Sequence, residues 1–205
     1  MPIFDASDPA HYARLGSQLD DMGLQRTVVT IIPDEAHSPI SPDATIRQAG
    51  VDHLKRVVEC AEKLGCEVLA GPYFQPLGVF TGEKPQRDEL DRCAEVHRQI
   101  APLARAAGMT CALEPLNRFE AYLLNTCEQS LDHMAKVNEE GFGILYDTFH
   151  ANIEEKDPLA ALKSVYAAGR LEHVHISEND RGTPGRGHAP IKETIEALRA
   201  MGYDG

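Results

Sequence analysis

Short apolar runs alternate with amphipathic segments along the whole chain. Five runs are rich in aliphatic and β-branched residues and end at Pro, Gly or a polar residue, which is typical of buried parallel strands. The predicted strands are Thr27–Ile32, Glu67–Gly71, Met109–Leu113, Gly143–Tyr146 and Leu171–Ile176. The segments around them repeat apolar positions at helical spacing and carry capping signals at their ends. The predicted helices are Asp8–Met22, Asp43–Leu64, Gln86–Ala107, Cys127–Val137, Asp157–Ala168 and Ile191–Met201.

Strands that alternate with helices indicate right-handed βαβ units and a parallel sheet, hence an α/β fold. Two architectures fit this order, an open doubly wound sheet and part of a (β/α)8 TIM barrel. No G-x-G-x-x-G follows the first strand, which weakens the dinucleotide-binding version of the open sheet. Polar residues collect instead after several strands, where barrel enzymes keep their sites. We therefore predict a barrel, and a single domain over residues 1–205 because no linker divides the chain.

The composition excludes several classes of protein. A formal net charge of -12 argues against a nucleic-acid or anionic membrane surface and favours a small ligand. No apolar run is long enough to span a membrane, and the N-terminal residues lack the features of a signal peptide. Five cysteines without a C-x-x-C motif indicate reduced core residues rather than disulfides or a thiolate zinc site. We expect a cytoplasmic protein.

Three consecutive strands end in residues that bind metals. Glu114 follows the third predicted strand, Asp147 the fourth, and His173 and His175 lie on one face of the fifth. Two carboxylates and an imidazole suit Mn²⁺, Mg²⁺, Co²⁺ or Fe²⁺ better than structural zinc. Taken singly, each has another interpretation: Glu114 paired with Arg118 at the surface, Asp147 as a helix cap, or a histidine satisfied in the core.

Further polar residues follow this set at short offsets, which places them in the loops above the sheet. They are Glu120, His150 and Arg181, within reach of the hydroxyl groups of a ligand. Alternatively, His150 is a helix N-terminal residue and Arg181 a solvated charge. The acidic run at residues 154–157 is interpreted as a solvated face and helix N-terminus. The apolar loop 71–85 either walls a pocket or packs on its own aromatic residues, and the turn-rich loop 183–187 is a candidate lid.

Four motifs carry a resemblance to a known family. SPDATIRQAGVDHLKR, LEPLNRFE, YDTFHANIEEKDP and HVHISENDRGTPGRGH resemble the D-tagatose 3-epimerase group of ketose 3-epimerases, which are xylose-isomerase-like barrels. The resemblance implies a (β/α)8 barrel and one divalent metal, commonly Mn²⁺, with Glu114, Asp147 and His175 as ligands. It also implies that Glu120, His150 and Arg181 bind a ketose, and that the protein is a homo-oligomer.

The same resemblance implies epimerisation of free ketoses at C3 through a cis-enediolate, with Glu114 as a catalytic acid/base. The alternatives are an aldose–ketose or hydroxypyruvate-type isomerase on the same scaffold, and a non-catalytic metal- or sugar-binding fragment. The family's fourth ligand is a Glu beyond a Y-D-G turn, and this sequence ends at such a turn. The resemblance also places the start of this sequence after the family's first two strands, so we expect about five of eight barrel strands, and little or no turnover by the 205 residues alone.

Overall fold

A parallel five-stranded sheet forms the centre of the molecule. The structure is a computed structural model that describes residues 1–205. The strands follow one another in sequence order across the sheet, β1-β2-β3-β4-β5, and every neighbouring pair is parallel. All five predicted strands are therefore present. They are β1 (Thr27–Val29), β2 (Val68–Gly71), β3 (Thr110–Leu113), β4 (Phe142–Asp147) and β5 (Leu171–His175).

Helices follow each strand, so the alternation read from the sequence is confirmed. Local capping sets their limits: Asp8 and Asp157 each cap a helix that begins with proline, and the left-handed Gly65 closes another. No helix is both long enough and apolar enough to cross a bilayer. The helices are α1 (Pro9–Asp21), α2 (Ala44–Leu64), α3 (Arg87–Ala106), α4 (Cys127–Val137), α5 (Thr148–Glu154), α6 (Pro158–Ala167) and α7 (Ile191–Met201).

The first strand is shorter than predicted. It ends at Val29, although the Thr30 N–H still donates to Ala70 of β2 (3.0 Å); the Thr30 hydroxyl donates to the carbonyl oxygen of Ile3 (2.9 Å), and Ile32 forms an isolated bridge with Pro76. The first residues of the chain run beside β1, where the Val29 N–H donates to Met1 (2.9 Å) and the Ile3 N–H donates to Val29 (2.8 Å). The apolar run 27–32 therefore alternates between buried and half-buried residues and is only partly sheet.

The sheet is strongly curved. Parts of β2 and β5, three places apart in the sheet, have Cα atoms within 8 Å of each other, whereas a flat sheet would separate them by about 14 Å. The outer, helix-covered face belongs to a core cluster of 41 buried residues. The inner face carries a smaller cluster of Ala70, Ala112 and Leu145. A parallel sheet curved this way, with helices outside, is the wall of an α/β barrel, as the sequence predicted.

A close approach at the end of β2 depends on glycine. Gly71 has φ +122°, and a Cβ atom there would lie 2.2 Å from the carbonyl oxygen of Thr30. We expect Gly71→Ala to lower the free energy of unfolding by about 3 kcal/mol. The matched control is Gly78→Ala, where φ is also positive but nothing lies within 4 Å, so only the backbone strain of about 1 kcal/mol should appear. Urea unfolding of both variants measures the difference, and equal losses would contradict a steric origin.

Candidate active site

Two carboxylate side chains and one imidazole meet at the edge of the sheet where the strands end. Side chains on a strand repeat every two residues, so Glu114 lies on the same inner face as Ala112, and Asp147 on the same face as Leu145. His175 is paired in register with Asp147. The ladder continues past β3, because the Glu114 N–H donates to Gly71 (3.1 Å). Regular strand geometry therefore aims all three side chains at one place.

The three ligand-type atoms of this triad (Glu114, Asp147 and His175) lie within 4.8 Å of one another. His175 Nδ1 is 3.6 Å from Asp147 Oδ2 and 3.8 Å from Glu114 Oε1. Both carboxylates are buried, at 7% exposure each, so the surface pairing of Glu114 with Arg118 is not formed. His173 lies beside the triad, with its ring centroid 5.2 Å from that of His175. The structure brings the predicted ligands together; their role as ligands remains a prediction.

The triad is strongly coupled electrostatically. The nearby carboxylate of Asp147, and after it that of Glu114, favour the charged imidazole and raise the pKa of His175 to about 9. Burial alone would raise the pKa of Asp147, but the adjacent His175 ring, the interaction with His150 and two backbone N–H groups outweigh burial and lower it. In the metal-free protein, His175 is therefore a cation beside two carboxylates at neutral pH.

Asp147 serves two purposes at once. Its Oδ1 accepts hydrogen bonds from the backbone N–H groups of Phe149 (2.7 Å) and His150 (3.3 Å), which caps α5. Its Oδ2 faces His175. The two interpretations made from the sequence, helix cap and strand-end ligand, are thus compatible, because each uses a different oxygen of the same carboxylate.

His150 is held against the triad by an asparagine. Its Nδ1 accepts a hydrogen bond from the backbone N–H of Asn117 (3.0 Å), which leaves the proton on Nε2. That Nε2 points at Glu114 Oε1, 3.8 Å away. The Asn117 side chain also donates to Glu120 Oε1 (2.8 Å). Asn117 is 2% exposed, and it links two of the predicted sugar-binding residues, a role that sequence reasoning missed.

Arg181 is fixed between two partners. Its guanidinium donates to Glu120 Oε1 (3.0 Å) and lies over the ring of Phe149, 3.9 Å from the ring centroid. Cation–π attraction between the guanidinium and the ring face favours this position. The structure therefore places all three predicted sugar-binding residues, Glu120, His150 and Arg181, in one connected group beside the triad. Phe149 was not identified from the sequence.

The acidic run at residues 154–157 is only in part the solvated face that we predicted, because Lys156 and Asp157 are exposed but the two glutamates are not. The Glu154 side chain is 4% exposed and forms a fork with the guanidinium of Arg118 (2.8 Å). Glu155 accepts a hydrogen bond from the backbone N–H of Cys127 (2.6 Å). Only Asp157 has its predicted role, as the cap of α6. These ion pairs and caps fasten α5, and with it His150, to the loop after β3.

The apolar loop after β2 does line a cavity. Gln75, Pro76, Val79 and Thr81 form one wall of a cleft of about 250 Å³, and Tyr122 forms part of another. The loop also contacts the candidate site, since the Gly78 N–H donates to the carbonyl oxygen of Glu120 (2.9 Å). The interpretation as a pocket wall is therefore confirmed, whereas the aromatic residues of the loop contact rings outside it: Tyr73 packs against His97 and Phe142, and Phe80 against Tyr122.

Comparison with known proteins gives a consistent result. A "probable ketose 3-epimerase" from Synechocystis sp. is 33% identical over 202 residues, which is 98% of this chain and 68% of the relative. An L-ribulose 3-epimerase from Mesorhizobium japonicum is 34% identical, over 98% of this chain and 67% of the relative. The chain thus spans about two thirds of the length of these relatives.

Solved structures agree with the sequence comparison. A D-psicose 3-epimerase from Clostridium cellulolyticum H10, solved with D-tagatose, superposes with a TM-score of 0.89 at 30% identity, covering all of this chain and 71% of that structure. The family described as "Xylose isomerase-like TIM barrel" matches residues 3–205. The resemblance predicted from the sequence is confirmed, and the chain belongs to the xylose isomerase-like TIM barrel family.

Proposed function

We propose that this chain carries the metal- and sugar-binding side of a ketose 3-epimerase site. The observation that supports this most directly is the convergence of two buried carboxylates and one imidazole within 4.8 Å at the carboxyl edge of a barrel sheet. Relatives at about 30% identity are named ketose, ribulose and psicose 3-epimerases. The net charge of -12 also favours a neutral, hydroxyl-rich substrate over an anionic one.

The triad fits a divalent cation. Ligand atoms that share an ion at bond lengths of about 2.0–2.2 Å stand roughly 3–4.4 Å apart, and the two separations measured from His175 Nδ1 are 3.6 and 3.8 Å. Two buried carboxylates beside each other require a compensating cation; protonated His175 provides it in the metal-free protein, and a divalent cation would replace that proton. An oxygen, oxygen, nitrogen donor set suits Mn²⁺, Mg²⁺, Co²⁺ or Fe²⁺, and the resemblance to ketose 3-epimerases favours Mn²⁺ among them.

The reaction requires a proton to leave C3 and return on the other face of the sugar. A divalent cation held by the triad would polarise the C2 carbonyl and C3 hydroxyl groups and so acidify the C3–H bond. Glu114 then takes the proton from C3, and the electron pair is delocalised into a cis-enediolate. A carboxylate that also binds a cation is a weak base, and its burial compensates in part by removing water from the proton path.

The neighbouring residues orient the sugar. Glu120 and Arg181 share one hydrogen bond and present a carboxylate oxygen and guanidinium N–H groups to the hydroxyls of the ketose. His150, with its proton on Nε2, donates toward the reacting end next to Glu114. The fixed positions of these groups restrict how the sugar can lie above the triad.

Hydrogen exchange with solvent tests this proposal. The chain is incubated with Mn²⁺ and D-fructose in D₂O, and deuterium in the sugar is located by NMR. We expect deuterium at C3, because removal and return of the proton by Glu114 needs only one face of the sugar. Net inversion needs a second acid/base on the opposite face, so exchange is the more direct measurement. Deuterium at C1 would indicate an aldose–ketose isomerase instead, and sugar binding without exchange would indicate a non-catalytic binding fragment.

Metal affinity should depend on pH in a defined way. A metal binds neutral imidazole, and the pKa of His175 is raised to about 9 in the metal-free protein, so a proton must be displaced at neutral pH. We expect affinity for Mn²⁺ to rise about tenfold per pH unit from about pH 6.5 to 8.5. Calorimetry in buffers of different ionisation enthalpy should detect about one proton released per ion at pH 7. A pH-independent affinity would contradict His175 as a ligand.

We also propose a cytoplasmic homo-oligomer. All five cysteines are free and buried, which agrees with a reducing compartment. Two neighbouring loops near Glu120 expose apolar side chains, with Phe80 at 47% and Phe119 at 74% exposure, and exposed clusters of this kind often mark association surfaces. Light scattering should show a multiple of the 22.5 kDa chain mass that Phe119→Ser reduces. A monomeric parent chain would contradict the oligomer.

A further inference from the structure

A buried carboxylate closes the loop that carries Arg181. Glu178 is 1% exposed, and its oxygens accept hydrogen bonds from the backbone N–H groups of Gly185 (2.7 Å) and Ala189 (3.1 Å). These donors lie 7 and 11 residues further along the chain. One side chain therefore ties together the two ends of residues 178–189, called here the Arg181 loop.

A second side chain repeats this arrangement one residue later. Asn179 Oδ1 accepts a hydrogen bond from the His188 N–H (2.8 Å). The N–H of Arg181 donates to the carbonyl oxygen of Glu178 (2.9 Å), and Arg181 has φ +58°. A left-handed conformation costs a residue with a side chain about 1 kcal/mol or more, so it persists where surrounding contacts impose it. The closed loop supplies those contacts.

A glycine is required where the two acceptors meet. A Cβ atom at Gly187 would lie 2.3 Å from Glu178 Oε2 and 2.2 Å from Asn179 Oδ1. Both oxygens are already held by hydrogen bonds to the opposite side of the loop. A methyl group there would therefore push the acceptors off their donors, so Gly187 offers an independent way to open the loop.

The loop stabilises Glu178 in its charged form. Burial alone would raise the pKa of Glu178, but the N–H groups of Gly185, Ala189, Gly187 and Asn179 outweigh burial and lower it. Hydrogen bonds to a charged acceptor are about twice as strong as those between neutral groups. The full negative charge thus strengthens the closure of the loop.

We propose that Glu178 is a positioning residue that sets the affinity for the ketose through Arg181. By closing the loop, Glu178 fixes the backbone at Arg181 so that the guanidinium stays between Glu120 and Phe149, facing the sugar. Glu178 acts on the sugar only through Arg181, which leaves the triad and the proton transfer unchanged. This inference rests on the proposed function, because it takes the ligand to be a ketose.

The isosteric variant Glu178→Gln tests it in the full chain. We expect faster amide hydrogen exchange in residues 178–189 and about tenfold weaker binding of D-fructose in the presence of Mn²⁺, the loss expected for weakened charged hydrogen bonds. Mn²⁺ affinity and the C3 exchange rate at saturating sugar should stay within about twofold of the parent chain. Glu193→Gln, an exposed carboxylate on α7, is the matched control and should change none of these quantities.

A double-mutant cycle separates positioning from a general loss of structure. Glu178→Gln should add nothing to Arg181→Ala, because both remove the same contact with sugar. Gly187→Ala should weaken sugar binding as Glu178→Gln does. Parent-like sugar binding by Glu178→Gln, or additive losses in the double variant, would overturn this inference alone. Absence of ketose binding by the parent chain would overturn the proposed function and this inference together.

Discussion

Glu114→Gln should abolish the metal-dependent exchange of the C3 proton while leaving the sugar bound. Glutamine has the same shape and can still offer one oxygen toward His175, but its amide cannot accept a proton from carbon. Removal of an acid/base group costs about 10²–10⁴ in rate. We expect a loss of at least about a thousandfold, measured by NMR as the rate of deuterium entry at C3 in Mn²⁺ and D₂O.

The control variant for this prediction loses the same negative charge at another place in the molecule. Glu128→Gln removes a carboxylate from the exposed first turn of α4 and should exchange at the parent rate. Sugar and Mn²⁺ affinities of Glu114→Gln are measured in parallel, because loss of the metal would stop exchange for another reason. Continued exchange in a metal-loaded, sugar-bound Glu114→Gln protein would remove Glu114 from the proton transfer.

The parts of this molecule that the sequence predicted are those that local patterns determine. The five strands follow from short apolar runs, and the position of Glu114, Asp147 and His175 follows from parallel strands that end at the same edge. The sequence indicated α5 only through the alternatives of Asp147 as a helix cap and His150 as a helix N-terminal residue, because a helix of seven residues shows too few turns for an apolar stripe to be recognised. The structure shows that one oxygen of Asp147 caps α5 while the other faces His175.

The contacts that sequence reasoning missed are those between distant loops. Glu154 was expected in solvent because it lies in an acidic run, yet its partner Arg118 comes 36 residues earlier and buries it. Asn117 and Glu178 satisfy backbone or ring nitrogen atoms that only the folded chain brings near. Buried polar groups require partners, but the sequence alone does not identify the partner. Positioning residues are therefore harder to predict than the residues they position.

Asp147→Asn should remove the metal while preserving the helix cap. Asparagine caps helices as well as aspartate does, so Oδ1 can keep its bonds to Phe149 and His150, and α5 should remain folded.

Loss of the second oxygen, which faces His175, should weaken Mn²⁺ binding by about 100-fold or more. Mutation of residues that only hydrogen-bond to a metal ligand already lowers metal affinity about 10–100-fold. Loss of the carboxylate should also lower the pKa of His175 from its value of about 9, so the proton released on residual metal binding at pH 7 should shrink in the same calorimetric titration. Asp157→Asn makes the same chemical change at the cap of α6, away from the triad, and should bind Mn²⁺ as the parent chain does. If both variants bind Mn²⁺ equally well, Asp147 caps α5 and nothing more.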